Sequence, residues 1–576
     1  MAWKKVNKIV KKECSSSKQD APKKSNRRSK CVVEDTCKFC KETSLREDDQ
    51  MVICEHCEDF ICISSVFLIP YTIMLFLAGL PMFFMELALG QYVGLGPNML
   101  FQNMAPLFSG LGIGMPIVSF YCCVYFGVIM AWSIYYTFSS FTAELPWGSC
   151  DNDFNTPECA TVEDVRMCEE NSTYYYDHSC LSLEKICGLE GYDTYNDTLC
   201  YDANTTTTLT PGEAVHRMSS SEDFYKNGVL GALDPLPCVV LTVILGFGLT
   251  LDGATEGIQF YFLQPNVTKL LEIEVWTDAS TQIFYSLGVA FGSLITLSSY
   301  NKFNTNCMRD ALVVATCNCL TSVYAGFALF SVLGALAHEL DVPVSEVVTS
   351  GSGLAFIAAS AVLNMPPPQL WSILFFVMFI TIGLSSQFAM VETVNTALYD
   401  QWPALRRHKL AVSLAVCSLM FALGSPMCLQ GGVYIFELFN LYSTGVSVLV
   451  LAFVEVILVH YIYGHRKILQ HIQDEMGIHI PLLLRGYWHI TWLLLTPASV
   501  LLILALSLVF WVPAYWGDYL LPQVAQILGW LICLSSVVWL PLMALVVVCK
   551  QEYTGMALVR PTELMCPAAE RRRREK

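Results

Sequence analysis

Long apolar stretches alternate with short polar ones over most of this chain. Taken at helical length, the apolar stretches fall near residues 66–90, 112–140, 237–251, 279–299, 311–337, 370–399, 409–428, 442–463, 488–511 and 523–549. Most of them approach the roughly 20 residues that a helix needs to cross a bilayer, whereas 237–251 is short for a span. Residues 343–369 form a semi-polar loop that includes its own short helix and closes on Pro366–Pro368. Two regions break the pattern. Residues 1–65 are polar, and a second polar stretch runs from Thr142 to Pro235.

Composition agrees with this picture. The 576 residues are 54% hydrophobic and only 15% charged, which excludes an ordinary soluble protein and a disordered one. The formal net charge is nevertheless −16. Most of it has one location: the stretch Thr142–Pro235 holds 18 Asp/Glu against 4 Lys/Arg, a net of −14. The same stretch carries six cysteines (Cys150, Cys159, Cys168, Cys180, Cys187 and Cys200) and three N-x-S/T triplets, at Asn171, Asn196 and Asn204. An even cysteine count beside glycan acceptors in an acidic loop points to an extracellular, disulfide-bonded, glycosylated segment. Six cysteines allow 15 pairings. A fourth triplet begins at Asn266.

Basic residues mark the other side of the membrane. The first thirty residues carry eleven Lys/Arg against two acids, and the chain ends in Arg571–Arg574. Lys302/Arg309, Arg406–Lys409 and His465–Lys467 form basic loops, which the positive-inside rule assigns to the cytosol. The N-terminal segment also holds Cys37-x2-Cys40 and Cys54-x2-Cys57, the spacing of a four-thiolate zinc site in reducing cytosol. Free thiols on an unstructured tail are the alternative. No Ser-His-Asp set, phosphate loop or nucleotide motif stands at workable spacing, so an enzyme is not indicated, and nucleic acid is not an expected partner.

Counting crossings exposes two conflicts. The acidic loop and Asn266 both belong outside, yet only 237–251 lies between them. The lysine-rich N-terminus belongs in the cytosol, yet two spans before the outside loop would put it outside. One additional helix at each place would remove each conflict.

Several blocks of residues then name a family. Phe67-Leu-Ile-Pro-Tyr-Thr-Ile-Met with Met85-Glu-Leu-Ala-Leu-Gly-Gln-Tyr resembles the second transmembrane helix of the neurotransmitter:sodium symporters. Ala131-Trp-Ser-Ile-Tyr-Tyr, Leu145-Pro-Trp-Gly-Ser-Cys, Trp276-Thr-Asp-Ala-Ser-Thr-Gln-Ile-Phe-Tyr-Ser-Leu-Gly, Ser299-Tyr-Asn-Lys-Phe, Gly351-Ser-Gly-Leu-Ala-Phe-Ile and Gln430-Gly-Gly-Val-Tyr-Ile-Phe continue the resemblance in order. It implies an all-α polytopic membrane protein, an inverted-repeat symporter bundle. It also implies that this bundle is incomplete. The family's first helix would stand where Cys54–Ser65 stands, and its fourth helix and the start of its fifth would lie between Pro235 and Val239. The expected organisation is a cytosolic basic tail (1–65), a symporter-like membrane domain (66–560) interrupted by the extracellular loop (142–235), and a basic C-terminal tail (561–576).

The resemblance also implies roles. Tyr71, Gln282, Ser286, Asn318 and Ser322 match the positions that hold chloride. Ser286 and Asn318 match one sodium site; Ile382 (through its carbonyl), Ser385 and Ser386 match a second, with Ser385 where many animal members have Asp. Ser286, Gly288 and Phe291 lie in the unwound middle of the sixth helix, where substrate binds. Phe126 stands where the family has a substrate-contacting Tyr, and its neighbour is Gly127. Asn440 replaces the extracellular gate acid, and Asp400 matches the cytosolic gate acid without its N-terminal arginine. Cys150 and Cys159 match the family's loop disulfide. Glu86, Glu392 and Glu455 are acids within apolar helices, fitting a structural hydrogen-bonding role as well as a proton path. The implied activity is sodium- and chloride-coupled symport of a small amino acid or amine across the plasma membrane. The expected partners are that substrate, membrane lipid, and a second copy or a full-length transporter. The alternative is a non-transporting truncated or splice form that regulates or dimerises with a transporter, or an incomplete gene model.

Overall fold

The computed structural model describes residues 67–142, 245–263, 270–339 and 367–567, less a few single positions, with scattered short stretches between 145 and 242 and residue 344. The CxxC pairs (Cys37, Cys40, Cys54, Cys57), Cys150, the four glycan acceptors (Asn171, Asn196, Asn204, Asn266) and the points at which helices were expected to be missing lie outside these residues.

The described residues form an all-α bundle. Helix α1 (Leu68–Val93) passes through a π turn at Leu75–Gly79, just ahead of Pro81, and stops at Gly94, whose φ of +62° closes a left-handed C-cap. A short helix α2 (Pro97–Met104) leads into α3 (Ser109–Ser139). Helix α4 (Ala254–Ile258, continued by a π turn to Leu263) packs on α7 (Cys307–Glu339). Between them, α5 (Ile273–Leu287) and α6 (Ser293–Ser298) are two halves of one broken helix. Then follow α8 (Pro368–Gln401), α9 (Lys409–Gly424), the long α10 (Gly432–Glu475), α11 (Leu482–Val509), and α12 (Gln523–Val537) bent by 40° into α13 (Trp539–Lys550).

Seven described helices are long and apolar enough to span a bilayer, and the bent pair α12–α13 makes an eighth. This agrees with the expected polytopic bundle. Some bounds differ. Helix α10 begins ten residues earlier than the apolar run at 442, because Glu437 and Asn440 interrupt the hydropathy but not the helix. Residues 254–263 are helical where no element was expected. Gly257 of α4 lies so close to Gly334 and the Phe330 carbonyl of α7 that a Cβ there would overlap backbone. Small residues let two backbones approach in this way inside a membrane.

Helices α3 and α8 make the most extensive pairing in the bundle. A second seam joins α1 to the broken helix, where Gly90 sits against the Ile295 carbonyl and Ser298. Phe84 of α1 packs on Trp488 and Trp492 of α11 at ring distances of 4.7 and 5.6 Å, and Trp492 Nε1 donates to the Pro81 carbonyl at 2.9 Å. In the loop after α3, short ribbons pair Tyr174–Tyr176 with Ser179–Leu181, and Asp193–Tyr195 with Leu199–Asp202 and Thr207–Leu209. A disulfide joins Cys168 to Cys180, and Cys187 is also disulfide-bonded. The expected Cys150–Cys159 bridge falls outside the described residues.

Candidate ion and substrate site

The break between α5 and α6 is built from glycine and held by two distant helices. Gly288 and Gly292 take φ of +66° and +79°, and Ala290 between them takes +65°, a conformation an L side chain rarely adopts. The compensation is a hydrogen bond from the Ala290 N–H to Glu86 Oε1 of α1 at 2.7 Å, with Glu86 fully buried. From the other side, Ser119 Oγ of α3 donates to the Phe291 carbonyl at 2.7 Å, and Thr296 Oγ1 donates to the Gly292 carbonyl at 2.9 Å. Phe291 itself is 3% exposed. The result is a stretch of irregular backbone inside the bundle, tolerated because protein groups satisfy it.

Beside the break, four of the five residues matched to chloride come together. Asn318 Nδ2 donates to Ser286 Oγ at 2.7 Å, and Ser322 Oγ donates to the Asn318 carbonyl at 3.0 Å. The Tyr71 hydroxyl lies against the Ser286 and Ser322 side chains. Gln282, one turn before Ser286 on α5, is exposed. The arrangement offers hydroxyl and amide groups from α1, α5 and α7 with no basic side chain among them, which suits a dehydrated anion without a full salt bridge.

On α8, Ser385 Oγ donates to the Ile382 carbonyl at 2.8 Å; Ser385, Ser386 and Ile382 are all exposed, Ile382 to 47%. Two of the matched oxygens thus meet on an open helix face, with Ser386 next in the chain. Phe126 is half-buried where α3 meets α8, and a Cβ on Gly383 would overlap Met130 Sδ and come to 3.4 Å from the Phe126 ring. Gln387 Nε2 donates to the Cys123 carbonyl at 3.0 Å across the same contact.

The gate positions have local partners. Asp400 has a basic partner close in sequence: Arg406 Nη2 donates to Asp400 Oδ1 at 3.0 Å, across the turn that leaves α8. At the other end, Asn440 Nδ2 donates to Glu437 Oε2 at 3.3 Å, so an acid stands one helical turn from the matched position. Tyr300 donates to Glu392 Oε1 at 2.8 Å and contacts Thr396 Oγ1 at 3.1 Å. Glu86 and Glu392 therefore act as hydrogen-bond acceptors, and Glu455 is fully buried.

Residues 63–551 match the sodium:neurotransmitter symporter family. The chain belongs to that family. It is a multi-pass plasma-membrane protein of the symporter class. Among similar proteins is the sodium- and chloride-dependent glycine transporter 2 of Xenopus laevis, 35% identical over 526 residues, covering 83% of this chain and 64% of the relative. The mouse sodium- and chloride-dependent neutral and basic amino acid transporter B(0+) is 38% identical over 544 residues, covering 88% of this chain and 83% of its own length. The mouse sodium- and chloride-dependent GABA transporter 2 is 36% identical over 531 residues, covering 88% and 84%. The chain therefore spans less than two thirds of the glycine transporter and more than four fifths of the other two.

Within this symporter-family chain, two groups at the site were not singled out from the sequence. Ser119 gave no local signal, since a serine in an apolar helix most often bonds its own backbone. Glu437 did give one, as an acid within an apolar helix.

Proposed function

We propose that this chain couples the movement of a small amino acid or amine across the plasma membrane to sodium and chloride. The observation that carries this reading is the convergence of Tyr71, Ser286, Asn318 and Ser322 beside the glycine-broken helix. In this reading Tyr71, Gln282, Ser286, Asn318 and Ser322 bind chloride, and the Ser286 and Asn318 oxygens contribute to one sodium site. The Ile382 carbonyl with Ser385 and Ser386 contributes to the second. Substrate sits against Ser286, Gly288, Phe291 and Phe126, and alternating access proceeds around the broken helix. The relatives named for glycine, GABA and neutral and basic amino acids support a small zwitterionic or amine substrate. The acidic loop is placed outside and the basic tails inside; the Cys168–Cys180 disulfide supports an oxidising compartment for the loop.

The test is uptake of labelled glycine, GABA and lysine in cells expressing this chain alone, with sodium replaced by N-methylglucamine and chloride by gluconate. Uptake that collapses in both replacements is expected. No uptake despite surface expression would overturn the transporter reading. It would favour a second one, a membrane partner that regulates or dimerises with a full transporter. Open polar positions on spanning helices (Ser322, Ser385 and Ser386) and on α5 (Gln282) support that alternative, because such groups normally face protein or water.

A further inference from the structure

Pro81 lies inside α1 and has no N–H to offer the carbonyls four and five residues before it, those of Leu77 and Phe76. Both accept from α11 instead. Thr496, fully buried, donates from Oγ1 to the Leu77 carbonyl at 2.7 Å, and the Tyr487 hydroxyl donates to the Phe76 carbonyl at 2.6 Å. These carbonyls belong to the π turn Leu75–Gly79, which closes on the bond from the Leu80 N–H to the Leu75 carbonyl. The π turn separates two contacts that α1 makes with the broken helix. Tyr71 meets Ser286 before it, and Glu86 Oε1 accepts the Ala290 N–H after it. Gly79, within the turn, packs on α5 so closely that a Cβ would overlap the Ile283 side chain. A π turn adds one residue to a helical turn, so its loss would rotate one contact relative to the other by about 100°. The same construction recurs one helix away. Pro497 has no N–H for the Leu493 carbonyl, within the π turn Thr491–Leu495, and the Tyr461 hydroxyl of α10 donates to it.

We propose that Thr496 and Tyr487 are positioning residues for the ion site, holding the π turn that keeps Tyr71 and Glu86 in register against the broken helix. This rests on the ion-coupled reading of that site. Each hydroxyl donates its one proton to α1, so its effect on the ions passes through that helix. Each occupies a carbonyl that Pro81 cannot serve, and an unserved carbonyl inside the bundle favours a shift to another hydrogen-bond register. The consequence falls at Ser286 and Ala290, on the broken helix, and not on α11 itself.

The experiment compares wild type with Thr496→Val, which keeps the shape and loses the hydroxyl, Thr496→Ser, which restores it, and Tyr487→Phe, all on the full chain. The chloride dependence of labelled glycine, GABA or lysine uptake is measured per surface molecule. Ser499→Ala is the control, because that hydroxyl bonds its own helix at the Thr496 carbonyl. In T496V and Y487F the chloride KM is expected to rise about three- to tenfold, the range for one lost hydrogen bond, while T496S, S499A and every kcat stay within about twofold. An unchanged chloride KM, whether or not surface expression or kcat falls, marks a merely structural role and overturns the proposal, as does a shift that T496S shares. A second arm needs no transport: hydrogen–deuterium exchange across 288–292 in the purified chain, expected to accelerate in T496V and to recover in T496S. If none of the three substrates is taken up by wild type, the transporter reading fails on its own. The positioning of the broken helix then stands on exchange, and equal exchange in wild type and T496V overturns it.

Discussion

Replacing Glu86 by leucine isolates the bond that holds the broken helix. Leucine nearly fills the volume of the carboxyl side chain, so little cavity is left; what disappears is the acceptor 2.7 Å from the Ala290 N–H. A buried amide left without a partner costs about 1–3 kcal/mol. The bond opposes a further cost, since a left-handed conformation at a non-glycine residue is disfavoured by about 1–2 kcal/mol. Losing 2 kcal/mol of preference for the observed backbone changes its population ratio by about 30-fold. The bundle itself changes less, because burying an apolar side chain in place of a carboxyl offsets part of the loss. The expected signature is therefore local. Hydrogen–deuterium exchange of peptides spanning 288–292 accelerates by about 10- to 30-fold in E86L, and substrate KM rises by a similar factor. The melting temperature in detergent moves little. Glu86→Gln keeps an oxygen at the same place and should behave like wild type in both assays. Wild-type exchange in E86L, or equal losses in E86L and E86Q, would refute the assignment of this carboxyl as the anchor of Ala290.

Other substitutions probe neighbouring contacts. Ser119→Ala removes the donor to the Phe291 carbonyl and should cost about 0.5–1.5 kcal/mol, raising substrate KM several-fold while surface expression is unchanged. Gly90→Ala drives a methyl into the Ile295 carbonyl, which cannot yield; about 1–3 kcal/mol of overpacking should lower the melting temperature and the surface fraction, measured by biotinylation. Cys168→Ser opens a loop with a sequence separation of 12 residues; the loss of about 2–4 kcal/mol should appear as protease sensitivity of the loop after α3. Arg406→Gln should cost under about 1 kcal/mol, because Arg406 is 54% exposed, and a double-mutant cycle with Asp400→Asn should return a coupling of that size.

The spans were legible because the bilayer imposes length and apolar content on each one separately. The start of α10 was not, since Glu437 and Asn440 depress hydropathy where the backbone stays helical. Helix α4 was hidden for another reason. It is short, and what stabilises it is the approach of Gly257 to Gly334, a contact across 77 residues that no local pattern encodes. The pairing of Cys168 with Cys180 was one of many open combinations, and a fold was needed to choose it. The Arg406 partner of Asp400, six residues on, depends on the 3-10 turn at Pro403–His408, which brings Arg406 back along the end of α8.

The site divides along the same line. Glycines at 288 and 292 announce a break in the helix, since each supplies a backbone conformation that other residues resist. Nothing local announces Ala290, a helix-favouring residue held at φ +65°. Its conformation persists because a carboxyl 204 positions earlier in the chain accepts its N–H, while a serine 172 positions before Phe291 binds the next carbonyl. The glycines permit the break; α1 and α3 fix its shape. Phe291 and the neighbouring Ser286 therefore depend for their placement on helices that contribute few of their own groups to the ligands. A substitution that spares every matched ion position can still displace the site, and Glu86 and Ser119 are where such an effect is expected first.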